Sequence, residues 1–371
     1  MKMRRVICFL AACALTACGS GGGLVAEVTN ETDLERSRET VEIAWGDLRR
    51  AGVTADNVVV TTEEGEQIPS QVIFDSAGEP VTLLFQATVA PASSTSYRIE
   101  AGEREAYEPQ AYGRYVPERA DDYAWENNLV AYRIYGPALA DPRTQGVDVW
   151  VKSTPRLVIN EWYGRNDYHH NYGEGMDCYK VASTLGGGAM APVADGHIVL
   201  TGNYATQRCM ANGPVRTMAE FTYAPVRVGD RDVTMTRRIW LDANTRFTVQ
   251  EYLFDGFDGE MDVAAGIVLH DVRSKASGDG YAAVTEAASD SADPVRDGDI
   301  MLGVVVEGGG AVSEADGHIL VSERVEAGER IRMRSGSAWS QGGVSSAQEW
   351  ERMVHEESIR AASPLKVTLH R

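Results

Sequence analysis

His169 and His170 stand side by side in a run crowded with ionisable and aromatic residues, W-Y-G-R-N-D-Y-H-H-N-Y-G-E-G-M-D-C-Y-K-V-A-S-T-L-G-G-G, from Trp162 to Gly188. Tyr163, Arg165, Asp167, Tyr168, Tyr172, Glu174, Asp177, Tyr179 and Lys180 surround them. A histidine titrating near pH ~6.5 is suited to taking or giving a proton. A tyrosine beside it completes a pair fit for anti elimination, or for epimerisation, next to a carboxylate. One group takes the proton alpha to the carboxylate, the other protonates the leaving oxygen, and an arginine neutralises the carboxylate. On this reading His169, His170, Tyr163, Tyr168 and Glu174 are the candidate catalytic residues. Arg165 and Arg216 are candidate clamps, and Trp162, Asp177 and Lys180 are further substrate contacts.

Other readings of the same residues stay open. If the segment is extended, His169 and His170 point to opposite faces, so one can serve a site while the other packs behind it. Satisfied structural histidines and sheet-packing tyrosines compete with any catalytic role. His169 or His170 with Glu174 or Asp177 supplies ligand types for Zn²⁺ or a harder cation. The spacing matches no metal motif, so no cofactor is expected. Glu174 and Asp177 are also the residue types of a glycosidase pair, though poorly fixed in a glycine-rich loop. Trp125, Glu126 and Asn127 precede another strand, where an aromatic face and two polar groups suit a sugar; a structural tryptophan with a capping asparagine is the alternative. Gly186 to Gly188 is no phosphate loop, since no Lys-Ser/Thr follows, and no nucleotide partner is expected. Asn212-Gly-Pro-Val-Arg216 reads as a turn that puts Arg216 on the next strand.

Strands must position these residues. Asp56 to Thr62, Pro80 to Ala87, Val263 to His270, Ile300 to Val306, His318 to Ser322, Arg330 to Arg334 and Leu365 to His370 carry strand signals. Val147 to Lys152 alternates strictly, which predicts one buried face. Asp232 to Asp255 predicts two strands joined by a turn at Leu241 to Thr245. Ser346-Ala-Gln-Glu349 fits a capping box, and Trp350, Met353, Val354 and Ile359 follow at helical spacing before Pro364. Residues 101–120 are polar and carry two prolines, a soft boundary between a β region over 24–100 and a main sandwich over 101–371 that carries the site. One continuous sandwich with this stretch as a loop is the alternative.

The ends and the charge narrow the setting. Met-Lys-Met-Arg-Arg and an apolar run lead into Leu15-Thr16-Ala17-Cys18, the pattern of a lipoprotein leader over 1–17. Cys18 would then carry lipid, with 18–23 as a flexible tether. Gly19 rather than Asp follows it, so the expected place is the outer membrane, facing the periplasm or the surface. A formal charge of -19 argues against nucleic acid. Cys178 and Cys209 can pair in an oxidising periplasm, for about 3–4 kcal/mol on the chain-entropy account, or remain free thiols.

W-E-N-N-L-V-A-Y-R-I-Y-G-P-A-L (125–139), V-D-V-W-V-K (147–152), the histidine run, the glycine triplet and N-G-P-V-R-T (212–217) together resemble the bacterial domain-of-unknown-function family DUF4861. The resemblance implies a mainly β, galactose-mutarotase-like supersandwich with few short helices. It also implies a setting in the breakdown of uronate-rich polysaccharides, with an acidic oligosaccharide or polysaccharide as partner. Epimerases, lyases and non-catalytic binders share that architecture, so the fold does not choose the reaction. The expected activity is β-elimination or dehydration on a uronate oligosaccharide, with an epimerase or mutarotase and a glycan-binding lipoprotein as alternatives. Ala182 departs from the family pattern, where a glycine is expected after Tyr-Lys-Val.

Overall fold

The computed structural model describes residues 23–371 apart from 166, 289 and 292. The leader, Cys18 and all of the tether but Gly23 lie outside the described residues.

Alternation builds the N-terminal unit. In Leu24–Asn30 every second side chain is buried, so Leu24, Ala26 and Val28 face inward. This strand pairs on one side with Ser93–Ala101 and on the other with Lys366–His370, from the far end of the chain. Val58–Thr61 and Gln67–Ile68 complete a five-stranded sheet. Against it lies a three-stranded sheet of Arg36–Ala44, Pro80–Val89 and Ser70–Phe74. The core between them holds Val28, Ile43, Leu83, Phe85, Tyr97 and Ile99. The two ends of the chain therefore close one small sandwich.

The larger part is also a two-layer, antiparallel structure. One layer is a nine-stranded sheet. Its central run is Arg216–Thr222, Arg231–Asp242, Phe247–Asp255, Arg330–Trp339 and Asp299–Val306. The other layer consists of two five-stranded sheets. One is Ala111–Val116, Asp122–Asn127, Ala131–Ile134, Asp148–Lys152 and Gly175–Asp177; the other centres on Glu260–Val268 and His318–Glu326. A single apolar cluster joins the three sheets, with Trp125, Tyr132, Phe221, Ile239, Tyr252, Ile267, Leu302, Val321 and Met333 among its members. The fold is a mainly β supersandwich. Few helices accompany it, and among the described residues none is long and apolar enough to cross a membrane.

The strands expected from sequence are present, and the turn after Leu241 falls where the chain needs it, with Asn244 at φ 65°. One expectation changes. Asp148–Lys152 is buried on both faces, not one. Its second face carries Asp148, Trp150 and Lys152, covered by the segment that follows.

The late helix, Ala347–Ala362, is four turns long and lies on the outer face of the nine-stranded sheet. Ser346 caps it by accepting from the Glu349 N–H at 3.2 Å. Trp350 and Val354 pack beside Gly303, where a Cβ would stand 2.6 Å from Val354. Ser346→Ala is expected to lower stability by about 1 kcal/mol in urea melts, while Ser346→Asp leaves it near the parent value. Equal melts for Ser346→Ala and parent would remove the cap from the account.

Candidate functional site

The five-stranded sheet presents charged side chains on its outer face because register aligns them. Asp148 stands opposite Arg133, and Asp177 opposite Trp150. Arg133 donates from Nε to Asp148 at 2.7 Å and from Nη2 to Asp177 at 2.8 Å. Its Nη1 is 3.7 Å from Asp122. All four side chains are at most 3% exposed. One guanidinium thus serves three buried carboxylates, and it cannot hold all three ionised cheaply. Burial drives Asp177 well above the usual carboxylate range; nearby Asp148 adds to this and Arg133 opposes it.

Burial likewise raises Asp122, to about 6, against the pull of Arg133 and Arg119. An unfolded aspartate titrates near ~3.9. Between these values the folded state binds more protons than the unfolded chain, so this group lowers stability as pH rises through the window. Asp122→Asn is expected to remove a fall of about 3 kcal/mol between pH ~4 and ~7, read from urea melts across that range. An unchanged pH slope would exonerate Asp122.

A second buried pair fixes the roof. Lys152 Nζ donates to Glu126 at 2.8 Å and to the Asn127 and Arg156 carbonyls. Glu126 in turn accepts the N–H groups of Val158 and Ile159, both at 2.8 Å, at the start of helix Ile159–Tyr163. That helix delivers Trp162 and Tyr163 onto Trp150, whose ring also stacks on Tyr168 at 5.2 Å. The chain then re-enters the sheet at Gly175, with φ 127° and a hypothetical Cβ only 1.9 Å from the Val151 carbonyl, so glycine is required.

This folding leaves Tyr168 and His169 at the rim, with ring centres 4.7 Å apart. The Tyr168 hydroxyl accepts from Arg119 Nε at 2.8 Å and from Arg133 Nη1 at 3.3 Å. His169 Nδ1 lies 3.1 Å from the Asp177 carbonyl and 3.6 Å from its carboxylate, and the side chain is 47% exposed. Arg119 is exposed and has no carboxylate within ion-pair distance among the described residues. The arrangement offers an accessible acid–base pair, an outward guanidinium and a buried proton reservoir.

The remaining candidates from sequence are dispersed. Trp125 is buried in the main core, donating to Thr248 at 2.9 Å, and cannot meet a sugar. Glu126 is buried on Lys152, and Asn127 ties the Asp242 and Thr245 carbonyls to the sheet. Trp162 is buried against Trp150. These four are structural because their polar atoms face inward or are fully used. Tyr163 is half-buried, and burial pushes its hydroxyl well up. His170 is exposed and packs on Tyr172. Glu174 pairs with Arg156 at 2.5 Å and Arg165 pairs with Glu161, so neither is aimed at His169. Lys180 is exposed. Arg216 sits on the other layer, committed to Asp242 and Glu42. Tyr168, His169 and Asp177 converge, with the Tyr163 ring edge-on to Tyr168 at 5.7 Å.

The disulfide is corrected as well. Cys178 is buried in the main core, where burial pushes its thiol well up, whereas Cys209 is exposed on Thr206–Ala211, and both are free. Gly was expected at 182, and Ala182 shows why: its φ is 51°, in the left-handed region. Arg119, Asp122, Arg133 and Asp148 are not among the site residues expected from sequence. For Asp148 the signal was a charge alternating with valine, as also at Lys152, on a strand that proves doubly buried. A neighbouring cluster was also missed, in which His270 meets Glu286 at 2.8 Å and the Tyr179 ring at 5.3 Å.

For a cation, His169, His170, Glu174 and Asp177 do not converge: Asp177 is engaged by Arg133 and Glu174 by Arg156. Among the described residues no group of three His, Cys, Asp or Glu is placed to hold a metal ion.

Comparison with known proteins adds the following. The family described as "Domain of unknown function (DUF4861)" matches residues 28–367. "Uncharacterized protein P7" of Formosa agariphila is 27% identical over 375 residues, covering 92% of each chain. Two solved structures share the fold. An α-mannosidase from Enterococcus faecalis V583 has TM-score 0.56 and 9% identity over 94% of this chain and 46% of its own. A glycosyl hydrolase family 38 protein from Enterococcus faecalis has TM-score 0.56 and 10% identity over 95% and 48%. The chain therefore spans about half the length of those structures.

Proposed function

We propose, from the premise that this chain belongs to the DUF4861 family, that it acts on acidic oligosaccharides by β-elimination or dehydration at Tyr168 and His169. The observation that carries this is the Tyr168 hydroxyl. It accepts from two guanidiniums, which leaves its own proton free to be given, and its ring stands 4.7 Å from that of His169 at the rim.

In the proposed step the Nη atoms of Arg119 hold the substrate carboxylate in a bidentate pair. His169 takes the alpha proton. The electrons of that C–H bond form a carbon–carbon double bond, and the C–O bond at the beta carbon breaks. Tyr168 protonates the leaving oxygen, and Arg119 and Arg133 stabilise the phenolate left behind. The proton on His169 then returns to Tyr168 through solvent, which restores both groups. Arg119 replaces Arg165 and Arg216 as the clamp, since those two are already paired. Relationship to saccharide-handling folds is consistent with this reading but does not choose the reaction. The lipid anchor at Cys18, and with it a place at the outer membrane, is proposed alongside and is checked by the mass of the N-terminal peptide.

The test is incubation of the protein begun after Cys18 with uronate oligosaccharides from alginate, pectin and ulvan. A rise in near-ultraviolet absorbance with chain cleavage or loss of water is expected. An isomerised sugar of unchanged mass and absorbance would replace elimination by epimerisation. No product of either kind would overturn the catalytic reading in favour of a glycan binder.

A further inference from the structure

A cleft of about 650 Å³ lies on the other layer, away from His169, between the outer face of the nine-stranded sheet, strand Arg36–Ala44 and helix Ala347–Ala362. Its floor follows from register. Met218 faces Trp240, and Trp240 faces Val249, so three apolar side chains form one row across three strands. Charged rows run on both sides. Arg216 stands opposite Asp242 on one side, and Glu220, Arg238, Glu251 and Arg332 alternate in sign across the sheet on the other.

Trp240 is the centre of this floor. The guanidinium carbons of Arg216 and Arg332 lie 5.4 and 5.6 Å from its ring centre. The ring is half-buried, and its indole N–H makes no hydrogen bond among the described residues. The arginines are not spare charges. Arg216 donates to Asp242 at 2.5 and 2.9 Å and to Glu42 at 2.6 Å, and Arg332 donates to Glu251 at 3.0 Å. A polyanion would have to displace those carboxylates. A hydroxyl-rich ring would not: its C–H face lies on the indole, and its hydroxyls accept from a guanidinium and donate to the paired carboxylate.

We infer that this cleft binds an uncharged stretch of oligosaccharide, with Trp240 as its platform and the flanking Arg–carboxylate pairs as its hydroxyl contacts. The inference stands on a different face and different residues from the proposed elimination, so either can fail alone. A binding cleft on one layer and a reactive rim on the other would let the protein hold a long glycan while working on its acidic units.

The test is calorimetric titration with β-1,4-linked gluco-, manno- and xylo-hexaoses, and with a hexagalacturonate as the charged control. At least one neutral hexaose is expected to bind. Trp240→Ala should weaken that binding about tenfold or more, equivalent to ~1.4 kcal/mol. Trp240→Phe should retain part of it, and His169→Ala should leave it unchanged. Absence of binding by every neutral hexaose at millimolar concentration would overturn the inference. So would equal affinity in Trp240→Ala, or Trp240-dependent binding of the hexagalacturonate alone.

Discussion

Arg133→Met is expected to cost about 3–5 kcal/mol at pH ~7.5, the largest stability effect of any single change considered, because it strands buried charge. Arg133 is the shared partner of Asp122, Asp148 and Asp177, and all four side chains are nearly inaccessible. Methionine fills much of the volume but supplies no donor. The carboxylates then have to take up protons or stay ionised in a low-dielectric site. The pH dependence follows. In the variant Asp122 and Asp177, already raised by burial, lose the guanidinium that opposes the rise, so the folded protein binds more protons than the unfolded chain from pH ~4 upward. Its stability deficit should therefore shrink as pH falls toward ~5 and widen as pH rises. Urea melts at three pH values measure this. A deficit below about 1 kcal/mol, or one independent of pH, would mean that the network is already neutralised in the parent. Arg133→Lys tests geometry, since one ammonium keeps the charge but cannot make the forked contacts to Asp148 and Asp177.

That network also marks the limit of what the sequence made legible. Local signals read well. The Ser346 cap, the turn at Asn244 and the alternating strand Leu24–Asn30 depend on neighbours within a few residues, and each is where its local chemistry requires. The crowded histidine run contains Tyr168, His169 and Asp177, which the structure brings close together. What failed was every inference that needed a distant partner. Glu126 looked like a sugar ligand because nothing nearby in sequence uses it; its partners, Lys152 and the Val158 and Ile159 amides, lie roughly thirty residues on. Trp125 beside it looked like a platform, yet its N–H is satisfied by Thr248, across the sandwich. Arg133 was one arginine among many until register set it opposite Asp148 and within reach of Asp177 on the strand beyond. Cys178 and Cys209 shared a compartment but not a neighbourhood, one within the core and one on an exposed strand. Trp240 lies on a strand that was correctly expected, with Arg238 and Asp242 two residues to either side, but Arg216, Glu220, Glu251 and Arg332, which complete the charged rows, come from other strands.

His169→Ala and Tyr168→Phe are each expected to lower kcat/KM on a responsive uronate oligosaccharide by about 10²–10⁴-fold, the usual worth of a positioned acid or base. The two should not add. If one takes the alpha proton and the other protonates the leaving oxygen in a single concerted step, losing either disables the step, and the double variant should be close to the worse single variant. Multiplied losses would mean independent contributions and would sink the paired mechanism. His170→Ala is the internal control. His170 is exposed and faces Tyr172, not Asp177, so its removal should change kcat/KM less than about twofold, well under the ~1.4 kcal/mol that a tenfold change represents. Full turnover in His169→Ala would instead transfer the base to another group. Tyr168→Phe carries a further signature. It removes the oxygen shared by Arg119 and Arg133, leaving both guanidiniums with a lost acceptor. A purely structural tyrosine would therefore show its loss in urea melts and lower apparent kcat only in proportion to the folded fraction, with KM unchanged. A proton donor would lose kcat far beyond what any fall in the folded fraction explains, and substrates with a better leaving group would recover part of the rate, because they need less help from the missing proton.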